Sequence, residues 1–193
     1  PQDPEPSALL RRHVASAPDG RALDIATGTG RNAVFLADRG YRVDAIDSSR
    51  AGLDITRERA AERGVEERLE CIQADVPSHE FPTDAYDLVT ISFYRAIDRL
   101  PDVKAALKDG GLLFVEHHLR TTDTVSSGPD GDRYRFAANE LLHATLDLTV
   151  TRYEEGVETR SDGRHAAIAR VVARKRSGLK QSYPMIEDAS SDE

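Results

Sequence analysis

From Arg21 onward the chain alternates short apolar runs with stretches of helical period, and this alternation constrains the fold most. "ALDIA" reads as a strand, "GRNAVFLADRG" as a helix closed by Gly40, and "YRVDAID" as a second strand. Ser48 or Ser49 caps a long helix ending near Gly64, and "LECIQAD" follows as a third strand. "VPSHEFPTDA" has two prolines and no period, so it reads as a loop. "YDLVTISF" is nearly continuous in apolar residues, as a parallel strand covered on both faces must be. "LPDVKAALKDGG" reads as a short helix with a glycine stop, and "LLFVEHHL" as the fifth strand. Strands separated by helices at this spacing imply a parallel sheet with right-handed crossovers, a Rossmann-like, doubly wound α/β fold.

The flanking segments differ in character. Residues 1–20 read as a polar lead-in with one short helix, capped by Ser7 and apolar at Leu9, Leu10 and Val14. Residues 21–175 read as the α/β domain. Within it "NELLHATLD" is a helix with Asn139 as its cap, and Asp162-Gly163 turn a closing β-hairpin. Residues 176–193 form an acidic tail without period, expected to be loosely ordered. The polar segment 121–136 is long enough to act as a lid.

The turn after the first strand reads Ala26-Thr27-Gly28-Thr29-Gly30, with Ala33 three residues on. It satisfies the loose dinucleotide pattern G-x-G-x-x-G/A. Sheets of this kind bind ligands at the carboxyl ends of their strands. Asp47 closes the second strand about 20 residues later, where a carboxylate accepts both hydroxyls of a ribose. Two further acidic residues bear on the ligand. A diphosphate wants helix amides and no nearby anion. Asp24, beside the loop, disfavours it and suits an ammonium or sulfonium cation. Asp75, closing the third strand, can accept the exocyclic amine of adenine. Three strands ending in aspartate around one glycine loop describe a cup for a cationic adenosyl ligand.

This set of motifs resembles the class I S-adenosylmethionine-dependent methyltransferases. Asp24-Ile25-Ala26-Thr27-Gly28-Thr29-Gly30 stands where that family has an acidic residue, a small residue and G-x-G, with Ala26 in place of a glycine. The resemblance covers roughly residues 7–175. It implies S-adenosyl-L-methionine as cofactor, held by Asp24, Ala26, Gly28, Gly30, Arg31, Asn32, Asp47, Ser48, Asp75, Val76 and Ile91. In it Asp47 takes the ribose, and Asp75 with the Val76 amide reads the adenine. It also implies a seven-stranded, mostly parallel sheet of order 3-2-1-4-5-7-6 with strand 7 antiparallel. "GRNAVFLADRGYRVDAID", "NELL", "YEEG" and "ARK" are similar to the tellurite-resistance (TehB-like) branch. Members credited with metalloid chemistry carry a His-Arg pair in the last hairpin. Here that place holds Thr159-Arg160, which argues against tellurite.

Acceptor-side groups should follow the fourth and fifth strands: Phe93, Tyr94 and Arg95, then Glu116, His117, His118 and Arg120. Strand alternation sends His117 and His118 to opposite faces, so one at most should reach a substrate. His118, later on the strand, is the expected catalytic group, with Tyr94 beside it. Arg31 and Asn32 contact a methionyl carboxylate or brace the loop. Arg95, Arg133, Arg135 and Arg160 are surface residues or anion ligands. The remaining histidines are dispersed and no spacing suggests a metal. Cys71, the only cysteine, reads as a buried strand residue.

A net charge of −8 with scattered basic residues disfavours nucleic acid. No apolar run has membrane-spanning length, and the N-terminus lacks a signal-like apolar core, so the chain reads as cytoplasmic. With no recognisable domain for a macromolecular substrate, the expected partner is a small-molecule methyl acceptor. Nothing in the sequence sets an oligomeric state. Two other readings remain open: an NAD(P)-dependent oxidoreductase, which uses the glycines and Asp47 but leaves Asp24 and Asp75 without a role, and a non-catalytic adenosyl-binding module.

Overall fold

A computed structural model describes residues 4–160, 162–176, 178, 180, 181, 183, 185 and 186. Seven strands form one sheet: β1 Arg21–Ile25, β2 Arg42–Asp47, β3 Leu69–Gln73, β4 Tyr86–Ser92, β5 Leu107–His118, β6 Thr149–Thr159 and β7 His165–Arg174. The helices are α1 Ala8–His13, α2 Arg31–Asp38, α3 Arg50–Arg63, α4 Leu100–Ala106 and α5 Glu140–Thr145. The strand order is β3-β2-β1-β4-β5-β7-β6, parallel through β5, with β7 antiparallel to both its neighbours. This is the order expected from the resemblance.

Alternation along the strands sorts the core into two layers. Leu23, Ile25, Val89, Ile91, Leu113 and Val115 face one way and pack with Leu100 and Val103 of α4 and Leu141 of α5. Ala22, Leu88, Leu112 and Phe114 face the other way, against Leu9 and Leu10 of α1 and Ala33 and Leu36 of α2. Burial on both faces explains why β4 reads as a nearly continuous apolar run, and why Asp24 in β1 stands out. Fully buried side chains such as Phe114 and Ile91 each stabilise the fold by about 1.5–3 kcal/mol.

The caps follow the sequence where a side-chain oxygen is well placed. Ser7 accepts from the Leu10 amide, and Ser49, not Ser48, accepts from the Gly52 amide. Gly64 closes α3 at φ 67°. Asn139 occupies the cap position of α5 but makes no capping bond. Glu140 accepts from the Ala137 amide at 2.7 Å instead.

Two expectations are corrected. α4 stops at Ala106, and "LKDGG" enters β5 through a register shift between Tyr86 and Leu88. The paired glycines form that irregularity: a Cβ on Gly111 would lie 2.9 Å from the Lys108 carbonyl oxygen. Cys71 is half-buried, because β3 is an edge strand whose side chains are only partly covered. Burial pushes its thiol up, with Arg57 acting in the opposite sense. Most of the acidic tail, including residues 187–193, lies outside the described residues. Among those described, Tyr183, Met185 and Ile186 are exposed. No helix of the described residues is long and apolar enough to cross a membrane.

Candidate active site

The carboxyl end of β1 turns sharply into α2, with Ala26 at φ 55°, Gly28 at 60° and Gly30 at 80°. Asp47 ties this turn to the next one. Its Oδ2 accepts from the Gly28 amide at 2.8 Å and its Oδ1 from the Ser49 amide at 2.8 Å. A carboxylate has about four lone-pair sites, so acceptor capacity remains for a ligand. α3 presses on the loop from outside. A Cβ on Gly52 would meet the Gly28 carbonyl oxygen at 2.6 Å, and one on Gly30 would meet Thr56 Cγ2 at 2.4 Å. Sequence reasoning passed over Gly52. Its signal was a glycine inside a helix, which is unfavourable by about 1 kcal/mol unless close packing demands it.

Asp24 does not line the cup. It is 2% exposed beneath the loop and accepts the Thr27 hydroxyl at 2.6 Å. As the penultimate residue of a strand covered on both faces, it has no route to the surface. Burial pushes its carboxyl up to about 7, against the opposing pull of the Thr27 bond and Arg31. Asn32 is a brace: its Oδ1 accepts from the Ser7 amide at 2.8 Å and its Nδ2 donates to Ser92 Oγ at 3.0 Å. Ile91 lies in the core, 1% exposed. Arg31 donates to the Glu5 carbonyl oxygen at 3.4 Å, lies 3.8 Å from Glu116 Oε1, and sits 5.6 Å from the Phe93 ring centre.

Two cavities adjoin at this edge. One, of about 130 Å³, is lined by Ala26, Asp47, Ser48, Asp75, Val76 and Tyr94. The other, of about 550 Å³, is lined by Phe93, Tyr94, Arg95, His117, His118, Pro129 and Tyr134. Tyr94 belongs to both. Phe93 holds φ 57°, an outlier for an aromatic residue that costs about 1–3 kcal/mol and marks a position fixed by its surroundings. The 121–136 segment contributes Pro129 and Tyr134 to the wall.

Both histidines reach the second cavity, contrary to the expectation of one at most. They do face opposite sides of β5: His117 packs on Phe136 and His118 on Phe93. The cavity wraps the strand's carboxyl end, so both sides open onto it. His117 Nε2 donates to the Tyr134 carbonyl oxygen at 2.6 Å. His118 Nδ1 is buried without a partner. Burial foremost, then His117, Arg160 and Arg135, lowers His118 to about 4. Burial also lowers His117 and raises the Tyr94 hydroxyl. Glu116, 3% exposed, accepts from Ser92 Oγ at 3.1 Å and pairs with Arg170 at 3.3 Å. These bonds tie β4 and β7 to β5. Among the described residues, no group of His, Cys, Asp and Glu could hold a metal ion.

Residues 22–111 match a family model described as a methyltransferase domain. The match contains every donor-side position from Asp24 to Ile91 and stops before His117 and His118. The chain is 35% identical over 109 residues to a demethylmenaquinone methyltransferase of Clavibacter sepedonicus, covering 54% of this chain and 43% of that protein. It is 33% identical over 130 residues to the ubiquinone/menaquinone biosynthesis C-methyltransferase UbiE of Pseudomonas fluorescens, covering 63% and 50%. The chain thus spans about half the length of these curated relatives. The crystal structure of TehB from Haemophilus influenzae superposes with a TM-score of 0.73 at 22% identity, covering 87% of this chain and 61% of that one. The [4+2]-cyclase SpnF superposes with a TM-score of 0.71 at 20% identity, covering 88% and 79%.

Proposed function

We propose that this chain transfers a methyl group from S-adenosyl-L-methionine to a small-molecule acceptor. The observation that carries the reading is the junction of two cavities at Tyr94. A small acidic cup at the glycine loop suits an adenosyl group, and the larger aromatic cavity beside it suits an acceptor. Asp47 takes the ribose hydroxyls, while Asp75 and the Val76 amide read the adenine edge. Ala26, Gly28, Gly30 and Ser48 shape the floor. Arg31 meets the methionyl carboxylate, and Asp24, Asn32 and Ile91 support from behind. We assign residues 21–175 to this catalytic unit, residues 1–20 to a lead-in and residues 176–193 to a tail, and place the chain in the cytoplasm.

Displacement at a sulfonium needs little chemistry from the protein. The leaving group is good, so alignment of nucleophile, methyl carbon and sulfur supplies most of the effect. A group at about 4 holds a proton poorly at neutral pH, so His118 orients the acceptor by a hydrogen bond rather than storing its proton. Tyr94 fixes the shared wall where methyl donor and acceptor meet.

SpnF carries this fold under the name of a cyclase, so the fold alone does not fix the reaction. The donor site is tested by Asp47→Ala. Affinity for S-adenosylhomocysteine should fall about tenfold or more, since a hydrogen bond to an ionised carboxylate contributes about 1.5–3 kcal/mol. Unchanged affinity contradicts the ribose assignment.

A further inference from the structure

The cavity beyond Tyr94 restricts what it can hold. Phe93, Tyr94 and Tyr134 give it aromatic walls, and Pro129 adds a flat apolar surface. Such walls favour a planar ring in face-to-face or edge contact. None of its lining residues is Asp or Glu. An ammonium entering it would leave water without a counter-ion, which is costly.

Positive charge surrounds the cavity instead. Arg95 lines it and is paired with Glu140 at 2.5 Å. Arg135 is committed to the Pro129 and Leu119 carbonyl oxygens. Arg160 differs: its guanidinium lies 5.1 Å from the Phe93 ring centre and makes no ion pair among the described residues. Its backbone is fixed by the hairpin turn, where its amide donates to the Arg164 carbonyl oxygen at 2.8 Å. Asp162 of the same turn feels its charge but is exposed and bonded to Arg164, so a half-buried guanidinium stacked on Phe93, a wall residue, remains able to take an anion.

His118 adds a second, independent demand. It is 7% exposed, packs on Phe93 with ring centres 5.1 Å apart, and leaves Nδ1 buried and unpartnered. Gly128 of the roof packs so closely on this ring that a Cβ there would lie 2.9 Å from Nδ1. Gly128 thus closes the Nδ1 edge, and a ligand oxygen in the cavity meets this imidazole at its other nitrogen, Nε2. The charged and titratable groups acting on His118 are His117, Arg160 and Arg135, all of which oppose an imidazolium. These neighbours favour the neutral imidazole, which leaves Arg160 as the group that attracts a ligand's negative charge.

We propose that the acceptor is a phenol-class molecule, its ring among Phe93, Tyr94 and Tyr134 and its oxygen, as the anion, at His118 and Arg160. This rests on the donor assignment above. The phenol gives its proton to solvent on binding. A lone pair of the phenolate oxygen then forms the new O–CH3 bond as the S–CH3 bond breaks. The bonding pair stays on sulfur, so anion and sulfonium become a neutral ether and a neutral thioether. No oxidant, reductant or metal enters the balance.

4-Nitrophenol tests this, because its phenolate absorbs in the visible and its neutral form does not. It is titrated into full-length protein saturated with S-adenosylhomocysteine, at a pH where the free compound is mostly protonated. The phenolate band should grow and saturate, and benzylamine should not displace it. Arg160→Gln should weaken binding about tenfold or more, as expected for loss of a charge-assisted hydrogen bond. Arg160→Lys should restore part of it, and both variants should bind S-adenosylhomocysteine as the wild type does. Protein that binds S-adenosylhomocysteine but not 4-nitrophenol overturns the proposal. So does displacement by benzylamine, or an Arg160→Gln variant that binds the phenolate undiminished. Failure of S-adenosylhomocysteine itself to bind removes the donor reading and this one with it.

Discussion

Asp24 and Ala26 show how single residues shape this site from beneath. Asp24 faces the Thr27 hydroxyl, Arg31, the Ala33 amide and Asp47, and its carboxyl is raised to about 7. The folded state therefore holds this proton more tightly than the unfolded chain, whose carboxyl titrates near 3.8. The stability it contributes is complete below that value and is lost as pH rises toward and through about 7. Asp24→Asn should remove this component, leaving the variant more stable than wild type at pH ~8 with a flatter profile between about 5 and 8 in urea unfolding. An unchanged slope contradicts the burial argument. Ala26 sits at φ 55°, where an L side chain is strained. Ala26→Gly should stabilise by about 1 kcal/mol in the same assay, with donor binding retained. A loss of stability would show that the methyl group is packed usefully and outweighs the strain. The acid and the small residue were legible in the sequence, but the depth of Asp24 was not. Position along a strand says nothing about which way the following loop folds over it.

At the scale of elements, the contact of α3 with the glycine loop positions the donor cup. Gly52 is the point of closest approach, with Thr56 donating to the Gly52 carbonyl oxygen at 3.0 Å and to that of Gly28 at 3.4 Å. Inside an ordinary helix Gly→Ala gains about 1 kcal/mol. Here the added methyl would meet a backbone oxygen that cannot turn aside, so the clash wins. Gly52→Ala should destabilise by about 1–3 kcal/mol and weaken S-adenosylhomocysteine binding. A stabilised variant with intact binding would show that the loop is not set by this helix. The central strand β4 was readable because both-face burial writes itself as nearly continuous apolar sequence. The end of α4 was not, because a glycine pair marks a helix stop and a sheet irregularity equally well. The histidines of β5 were expected on opposite faces, and they lie so. The error lay in treating the cavity as one-sided, when it wraps the end of the strand.

For the whole molecule, the alternation of strands and helices was legible from the period of the sequence, whereas the sheet order was expected from the family resemblance that the glycine-loop motif carries. The acceptor cavity was not legible. It is assembled from the turn after β4, the end of β5 and the 121–136 segment, with Arg160 of the last hairpin stacked on Phe93, and only the folded chain brings these together. The family match ends at Gly111, before His117 and His118, so the likeness that carries the donor assignment says little about the acceptor. The central claim is that an adenosyl sulfonium, and not a dinucleotide, fills the cup of Asp47, Asp75 and Tyr94. Titration calorimetry of the wild-type protein with S-adenosylhomocysteine and, separately, NAD tests it most directly. Saturable binding of S-adenosylhomocysteine with no heat from NAD is the predicted result, and NAD binding in preference to S-adenosylhomocysteine would contradict it.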